Sequence, residues 1–430
     1  MAEPNNTPFP TAPPTPRSSS PVHPSAPQSP GSSPTTTRMP QWPHAASTHS
    51  RGTSLTVPVY LPAAPWAAAA AAVAATAGDA KEEGGRKPVV LHLGDPVRYN
   101  LETHAEFSAR FDVVRPGAEE RERAAFLAAL RDGRWGNFAA VLRPFWDSGG
   151  EMGRWDAELI DLLPDSVRVF ASAGAGFDWV DVKLLGERGI VHCNSGIAAC
   201  EAVADFAVAL IVGTFRALPY CMASAASGSP AAFRAAHTEA TALSHNLRGH
   251  SLGVVGLGGV GQQVARRCAA AFGMEVSYYD VERKAAAVEA LAGRARYRPT
   301  LEALVRGADC VVLCVPASAG RLVDAETLRW FRPGARLVNV ARGALVDEDA
   351  LADALEQGRL AGVALDVHAD EPRVSDRLRK FAGTTALLTC HNAGGTVEAH
   401  VGFEELCMRN VMAVLAGREP LTPTNLQWLS

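Results

Sequence analysis

The feature that most limits the fold of this chain is a short apolar strand that runs through a glycine-rich turn directly into a helix. The segment reads SLGVVGLGGVGQQVARRCAAAF and begins at Ser251. Gly256, Gly258 and Gly261 form a G-x-G-x-x-G pattern: the first makes the tight turn, the second lets the backbone approach a pyrophosphate, and the third seats the helix on the strand. The helix N-terminus favours such an anion, because its N–H groups are unpaired and its dipole is positive there. The segment therefore predicts a βαβ unit that binds a dinucleotide.

The next strand indicates which dinucleotide to expect. It reads MEVSYYD and ends in Asp280, at the usual distance of about 20 residues for an acid that accepts hydrogen bonds from the ribose hydroxyls. Because the same carboxylate repels a 2′-phosphate, the prediction is NAD. NADP stays open, since Arg283 lies close enough along the chain to reach a phosphate. A glycine-rich turn that binds no nucleotide is the alternative interpretation of the segment.

Other short apolar runs alternate with helical stretches. PVVLHLGD, FDVVRP, FAAVLRP, VRVFASAG and GIVHCN each end in turn residues, and AEERERAAFLAALRDG is one of the helical stretches between them. This alternation predicts doubly wound parallel sheets of the α/β class. The length of 430 residues favours two domains over one.

Composition excludes several classes of protein. The chain is 47% hydrophobic and 20% charged with a net charge of −4, which is typical of a soluble enzyme and argues against a nucleic-acid or membrane partner. Its eight cysteines are scattered, without a C-x-x-C pair or a histidine cluster at zinc spacing. We therefore expect reduced thiols, no bound metal and a cytoplasmic location.

Residues 1–85 differ from the rest of the chain. They are rich in Pro, Ser and Thr and then in Ala, so they hold too little large apolar surface to offset the entropy of ordering, and we expect disorder. The stretch LPAAPWAAAAAAVAATAG is too short and too interrupted by proline to span a membrane. The tail carries three arginines and a single acid before Asp79, so a mitochondrial presequence stays open.

A second small-residue turn follows the strand VRVFAS. SAGAGFDWVD, from Ser172 to Asp181, places three small residues in a row, which lets backbone N–H groups approach an anion closely. A turn that needs glycine only for its dihedral angles explains the same residues equally well.

Three polar residues after later strands suit the reduction of a 2-oxo acid. That reaction needs a cation for the carboxylate and carbonyl, a proton donor at the carbonyl oxygen, and an acid that keeps the donor protonated. Arg342 follows the strand RLVNV and suits the first role, His391 follows ALLT and suits the second, and Glu371 suits the third. Singly, each has an ordinary explanation as a salt-bridge partner, an inert loop histidine or a solvated acid. Their shared position after strands, where such folds bind ligands, favours the catalytic interpretation.

The sequence resembles the D-isomer-specific 2-hydroxyacid dehydrogenases. The resemblance rests on GAGFDWVD, VADFAVALIVGTFR, GVVGLGGVG, LVNVARGALVDEDAL, LDVHADEP and HNAGGT, which occur in the family's order from about Pro88 to Asn425. Within the family, the chain looks most similar to the fungal glyoxylate/hydroxypyruvate reductases and the D-mandelate-dehydrogenase-like branch.

The resemblance implies roles for individual residues. Arg342 would orient the substrate, Glu371 would be the partner acid and His391 the acid/base. The backbone amides of Ala175 and Gly176 would hold the substrate carboxylate. The residues implied in cofactor binding are Gly256, Gly258, Gly259, Val260, Gly261, Asp280, Val315, Pro316, Ala341, Asp366 (at the nicotinamide carboxamide), His391 and Gly394.

The resemblance also implies a discontinuous fold. Residues 87–193 and 395–430 would form a flavodoxin-like substrate domain, residues 194–394 a Rossmann domain that binds NAD, and the cleft between them the active site. The partner is then a small 2-oxo or 2-hydroxy acid, and a homodimer is expected.

The chain departs from the family's pattern in three places. Cys390 stands where a proline usually precedes the catalytic histidine, and the common D-V-F-E is replaced by Asp366, Val367, His368 and Ala369. The loop PASAGRLV, which would border the cofactor, is shorter than the corresponding loop of the family. The affinity for the cofactor therefore stays open.

Two questions stay open at this stage. A corepressor of the C-terminal-binding-protein type shares the fold and the triad and stays an alternative. Formate dehydrogenase is disfavoured because it carries Gln at the position of Glu371, and phosphoglycerate dehydrogenase is disfavoured because it has a further regulatory domain. The sequence also does not determine which side chain the substrate carries. The candidates to meet it are Arg143, Phe145, Phe177 and Trp179, although the last two would equally fill the core beneath the turn.

Overall fold

The computed structural model describes residues 86–144 and 148–429. The expectations for the tail 1–85 and for Phe145 lie outside these residues. Five strands form a first sheet: β1 (Val89–His92), β2 (Asp112–Val114), β3 (Ala140–Arg143), β4 (Val169–Ser172) and β5 (Val191–Cys193). All pairs are parallel, in the order β2-β1-β3-β4-β5. The central strands β1, β3 and β4 are apolar except for their last residues, His92, Arg143 and Ser172, because helices cover both faces of the sheet.

Short helices connect these strands: α1 (Leu101–Arg110), α2 (Ala118–Arg121), α3 (Arg123–Arg131), α4 (Ala157–Ile160) and α5 (Val182–Glu187). The stretch AEERERAAFLAALRDG, expected to be helical throughout, is divided at Glu122, whose ψ of 136° is not helical. Arg121, the last residue of α2, is buried there and bonds to Glu151 and to the carbonyl of Pro116. The helical stretch is therefore interrupted directly after the residue whose guanidinium, that of Arg121, is buried.

Seven parallel strands form a second sheet: β6 (Ser251–Val255), β7 (Glu275–Tyr279), β8 (Arg296–Tyr297), β9 (Cys310–Leu313), β10 (Ala335–Asn339), β11 (Leu360–Leu365) and β12 (Ala386–Leu388). Their order is β12-β11-β10-β9-β6-β7-β8. The direction of winding reverses between β6 and β9, which opens a crevice at the carboxyl ends of these two strands. The glycine-rich turn follows β6 and therefore lies at this crevice.

The remaining helices are α6 (Cys200–Phe215), α7 (Leu218–Ala226), α8 (Pro230–Leu243), α9 (Gly259–Phe272), α10 (Ala286–Leu291), α11 (Leu301–Val305), α12 (Glu348–Glu356), α13 (Asp376–Arg379) and α14 (Val397–Leu415). By length and hydropathy alone, the stretch Gly196–Phe215 would suffice to cross a membrane. In this structure its Ala204, Ile211 and Phe215 are buried against the second sheet and α9. One face of this helix is therefore packed in the core, and 33% of the apolar window is buried.

Helix α14 returns the chain to the first sheet. It packs on β3, β4 and β5 and on α1. Its Cys407, Met408 and Val411 are fully buried in the core of that sheet, beside Phe107 of α1. The two parallel sheets confirm the predicted α/β class, and the first sheet is completed by the C-terminal part of the chain.

Candidate active site

A cleft of about 600 Å³ lies at the carboxyl ends of the strands of both sheets. It is lined by the turns that follow β4 and β5 of the first sheet, by the turns that follow β6, β9, β10, β11 and β12 of the second, and by the start of α14. Parallel sheets bind ligands at this edge because the loops with adaptable backbone groups meet there.

The glycine-rich turn fits a pyrophosphate. Gly256 has φ of 90°, in the left-handed region that favours glycine, and a Cβ at Gly261 would lie 2.0 Å from the carbonyl oxygen of Gly256. A Cβ at Gly258 would meet no atom within 4 Å, so the backbone there faces open space. Helix α9 begins at Gly259, and no side chain caps it. These features leave the first-turn N–H groups available for the phosphates of a dinucleotide.

Asp280 directly follows β7, beside this turn. Its Oδ2 accepts a hydrogen bond from the backbone N–H of Leu257 at 2.9 Å and lies 3.1 Å from Nζ of Lys284. Arg283 is held by both oxygens of Glu289, at 2.9 and 3.1 Å. The cation beside Asp280 is thus Lys284, which the sequence did not single out, whereas Arg283 is paired with a different acid.

Arg342 reaches from the second sheet to the turn after β4. A Cβ at Gly176 would lie 1.4 Å from Nη2 of Arg342, so the guanidinium occupies the space that a side chain would fill. Nη1 donates to the carbonyl of Ala341 at 2.6 Å, and Nε donates to Asp178 at 3.3 Å. The structure therefore brings Gly176 and Arg342 together, as expected, and adds the exposed Asp178 as a contact across the cleft.

Glu371 and His391 form a hydrogen-bonded pair. Oε2 of Glu371 lies 2.7 Å from Nδ1 of His391. The backbone of His391 has φ of 52°, a left-handed conformation that is strained for this residue. Its N–H donates to the carbonyl of Asp366 at 2.7 Å, which helps to hold the conformation. The pair presents an imidazole to the cleft with a carboxylate behind it.

Asp366 is fully buried and organises the loop that carries His391. Its carboxylate accepts hydrogen bonds from Oγ1 of Thr389 at 2.7 Å, from the N–H of Asn392 at 3.0 Å and from the N–H of Ala393 at 2.8 Å. Asp366 also lines the cleft. Contact with a nicotinamide carboxamide stays a prediction, since three donors of the protein already occupy this carboxylate.

The other expected site residues divide into two groups. Those that line the cleft are Ala175, Gly176, Gly259, Val260, Val315, Pro316, Ala341, Arg342, Asp366, His391 and Gly394. Those that lie behind or beside the lining are Gly256, Gly258, Gly261, Asp280 and Glu371.

The candidates for the substrate side chain also separate. Phe177 lines the cleft, together with Ile197 and Phe403. Trp179 packs against Phe170 in the core beneath the turn and donates from Nε1 to the carbonyl of Gly176 at 3.1 Å. Arg143 lies with its guanidinium carbon 4.4 Å from the centroid of the Trp179 ring, and burial lowers its pKa to about 10.

Comparison with known proteins gives a consistent result. A sequence model of the NAD-binding domain of D-isomer-specific 2-hydroxyacid dehydrogenases matches residues 208–393. The holo structure of D-mandelate dehydrogenase from Rhodotorula graminis is 39% identical, with a TM-score of 0.76 over 79% of this chain and 98% of that one. Glyoxylate reductase from Thermococcus gammatolerans is 37% identical over 274 residues, which are 63% of this chain and 80% of the relative. An NADPH-dependent glyoxylate/hydroxypyruvate reductase from Sinorhizobium meliloti, solved with NADP and malonate, is 30% identical with a TM-score of 0.63, over 80% of this chain and 98% of that one.

Proposed function

The chain belongs to the D-isomer-specific 2-hydroxyacid dehydrogenases, and on that premise we propose that it reduces a 2-oxo acid to the D-2-hydroxy acid with His391 as the proton donor. The enzyme class and the binding of NAD or NADP, both predicted from the motifs, are confirmed by these relatives. The proposal for His391 is carried by one observation: its 2.7 Å contact with Glu371, at the edge of the cleft that Arg342 enters.

In the proposed reaction, each of these residues has a separate role. The guanidinium of Arg342 and the amides of Ala175 and Gly176 bind the substrate carboxylate and orient the carbonyl. The nicotinamide supplies a hydride to the carbonyl carbon when it is bound. His391 gives a proton to the carbonyl oxygen, so that hydride and proton together convert the C=O bond to an alcohol. Glu371 stabilises the imidazolium form of His391 beforehand, because an adjacent negative charge favours the charged ring.

The substrate that the cleft favours is a 2-oxo acid with a bulky apolar side chain. Phe177, Ile197 and Phe403 supply apolar surface beside the carboxylate site. Burying an aryl or branched aliphatic group against such side chains contributes about 1 kcal/mol or more for each contact. The similarity to a D-mandelate dehydrogenase supports this choice, whereas the similarity to glyoxylate reductases supports a smaller substrate.

We place the substrate domain at 87–193 with 395–430 and the nucleotide domain at 194–394. We also propose a homodimer, because the helical hairpin α7–α8 exposes Met222, Phe233 and Leu243 to solvent. A cytoplasmic location agrees with the eight unpaired cysteines.

The test is NADH oxidation with glyoxylate, hydroxypyruvate, phenylglyoxylate and 4-methyl-2-oxopentanoate. We expect the last two to give the higher kcat/KM, and Phe177→Ala to reduce that advantage while glyoxylate serves as the internal control. His391→Ala should lower kcat by about two to four decades. Glu371→Gln should move the basic limb of the pH profile to lower pH, since the imidazolium loses its carboxylate.

Two results would contradict this proposal. NADH binding without reduction of any 2-oxo acid would favour the corepressor interpretation. Wild-type rates in both His391→Ala and Glu371→Gln would exclude the proposed proton donor.

A further inference from the structure

His368 is a buried histidine close to the Glu371–His391 pair. It follows β11 two residues after Asp366, and its side chain is 3% exposed. The mechanism proposed above does not use it. A buried imidazole nitrogen is costly when it lacks a partner. Nδ1 of His368 has no hydrogen-bond partner among the described residues, so the contacts of Nε2 and of the backbone indicate what this residue does.

Two hydrogen bonds connect His368 to Glu371 and to the segment that precedes His391. Its backbone N–H donates to Oε1 of Glu371 at 2.9 Å, the oxygen that does not contact His391. Its Nε2 lies 2.8 Å from the carbonyl oxygen of Thr389, two residues before His391. Because a carbonyl only accepts, Nε2 carries the hydrogen. One residue therefore links the loop of Glu371 to the segment that carries His391.

The loop of His368 is itself held from two sides. Oε1 of Glu348, in the first turn of α12, accepts from the N–H of Ala369 at 2.9 Å and lies 3.9 Å from Nδ1 of His368. On the other side, Gly343 lies so close that a Cβ there would be 2.0 Å from the carbonyl carbon of His368. Gly343 directly follows Arg342. Residue 368 thus contacts the segments of all three proposed active-site residues: its backbone contacts those of Arg342 and Glu371, and its side chain contacts that of His391.

We propose that His368 is a positioning residue, which holds Glu371 and His391 at hydrogen-bonding distance by its bond from Nε2 to the Thr389 carbonyl. This inference rests on the proposed role of His391. A side chain of similar volume without nitrogen would fill the same space but would leave the carbonyl of Thr389 unpaired. The segment before His391 could then move relative to the loop of Glu371.

The experiment compares three substitutions in the full-length chain. His368→Phe preserves an aromatic ring and removes both nitrogens. His368→Asn places an amide near the position of Nδ1, whereas His368→Gln places an N–H donor near that of Nε2. We expect kcat for the best 2-oxo acid to fall by about 10- to 100-fold in the Phe and Asn variants, with little change in KM, because the proton donor is misplaced while the carboxylate site is intact. The Gln variant should retain most of the wild-type kcat.

The pH dependence gives a second measurement. If Glu371 moves away from His391, the imidazolium loses stabilisation and the basic limb of kcat/KM shifts to lower pH in the Phe and Asn variants but not in the Gln variant. NMR titration of His391 in the free enzyme should shift in the same direction. The other titratable groups that line or adjoin the pair are Asp178, Arg342, Glu348, Asp366, Cys390 and His400, and the variants leave all of them in place.

The outcomes separate this inference from the proposed function. A lower thermal midpoint with unchanged kcat, pH profile and His391 titration would show that His368 only fills the core, and would overturn the inference. Equal losses in the Gln and Phe variants would overturn the role of Nε2. If the wild-type enzyme reduces no 2-oxo acid, the proposed function fails, and the NMR titration still decides whether His368 positions the pair.

Discussion

At the scale of single residues, the space beside Gly176 limits how the cleft can bind an acid. The guanidinium of Arg342 occupies this space, and its Nε and Nη1 are directed to Asp178 and to the Ala341 carbonyl. Nη2 is therefore the atom that lies against the backbone of Gly176. We expect a substrate carboxylate to bind between this nitrogen and the backbone amides of the turn, where turns of both sheets would orient it.

Gly176→Ala tests this arrangement. The added methyl group would coincide with Nη2, so Arg342 must move, and we expect kcat/KM for 2-oxo acids to fall by about 100-fold. Gly307→Ala is the matched control, because a Cβ there makes only ordinary contacts of 3.5 Å. Steady-state kinetics and the thermal midpoint are measured for both. Wild-type kcat/KM in Gly176→Ala would mean that Arg342 does not work from this position.

We expect cofactor preference to depend on Asp280 and its surroundings. We expect the wild type to prefer NADH, and Asp280→Ala to narrow or reverse that preference by removing the repulsion of a 2′-phosphate and leaving Lys284 unpaired. Arg283→Ala is the control, since Glu289 already holds that guanidinium. The ratio of kcat/KM with NADH and NADPH is the measurement. Equal values for the two cofactors in the wild type would contradict the expectation.

At the scale of the elements, the segment between α2 and α4 depends on an ion pair. The buried Arg121 donates from Nη2 to Glu151 at 2.5 Å, and this hydrogen bond lowers the pKa of Glu151 to about 2. A carboxyl pKa that is lower in the folded state stabilises the fold above the unfolded value near 4.5, and the stabilisation is lost as the pH falls towards 2.

Glu151→Gln should therefore destabilise the enzyme in a pH-dependent way. We expect a loss of about 2 kcal/mol in the free energy of unfolding at pH 7, because Arg121 is left buried beside a neutral partner. The difference should shrink as the pH falls from about 5 to about 2. Urea unfolding at pH 7 and at pH 3.5 measures it, with the exposed Glu282→Gln as control. A difference that is constant over this range would exclude the ion pair as its cause.

The elements also show what the sequence can predict. Apolar runs and the spacing of Gly256, Gly258 and Gly261 are local signals, so the strands and the phosphate turn could be predicted from them. Contacts between distant segments have no such signal. The pairing of Asp178 with Arg342 and the position of His368 between Glu371 and His391 depend on how loops of separate strands meet. The departure from D-V-F-E at His368 was visible, but its partners were not.

At the scale of the whole molecule, two long helices connect the parts of the chain. Helix α6 packs on the second sheet, whereas α14 carries the chain back to the first. Near the start of α14's buried face, the carboxylate of Glu404 accepts hydrogen bonds from the N–H groups of Arg98, Tyr99 and Asn100, at 2.8, 2.8 and 2.6 Å. This buried acid bonds the loop before α1 to a helix that follows much later in the chain. Arg98 and Glu404 are separated by 306 residues.

Removal of residues 1–85 should leave the enzyme intact. The cleft and its hydrogen bonds are formed by residues after Lys87, so we expect unchanged kcat, KM and thermal midpoint for a chain that starts at residue 86. Activity and thermal unfolding of the two chains, purified in the same way, are the measurements. A shortened chain that fails to fold would place the domain boundary earlier than 87.

The return of α14 to the first sheet sets an order on folding during synthesis. Strands β1 to β5 leave the ribosome early, but the core that they share with Cys407, Met408 and Val411 cannot close until almost the whole chain has been made. The second sheet is built from one continuous segment and is complete at β12, before α14 is available. We therefore expect the first sheet, although it is translated before the second, to complete its core last, with its strands exposed to other partners during that interval.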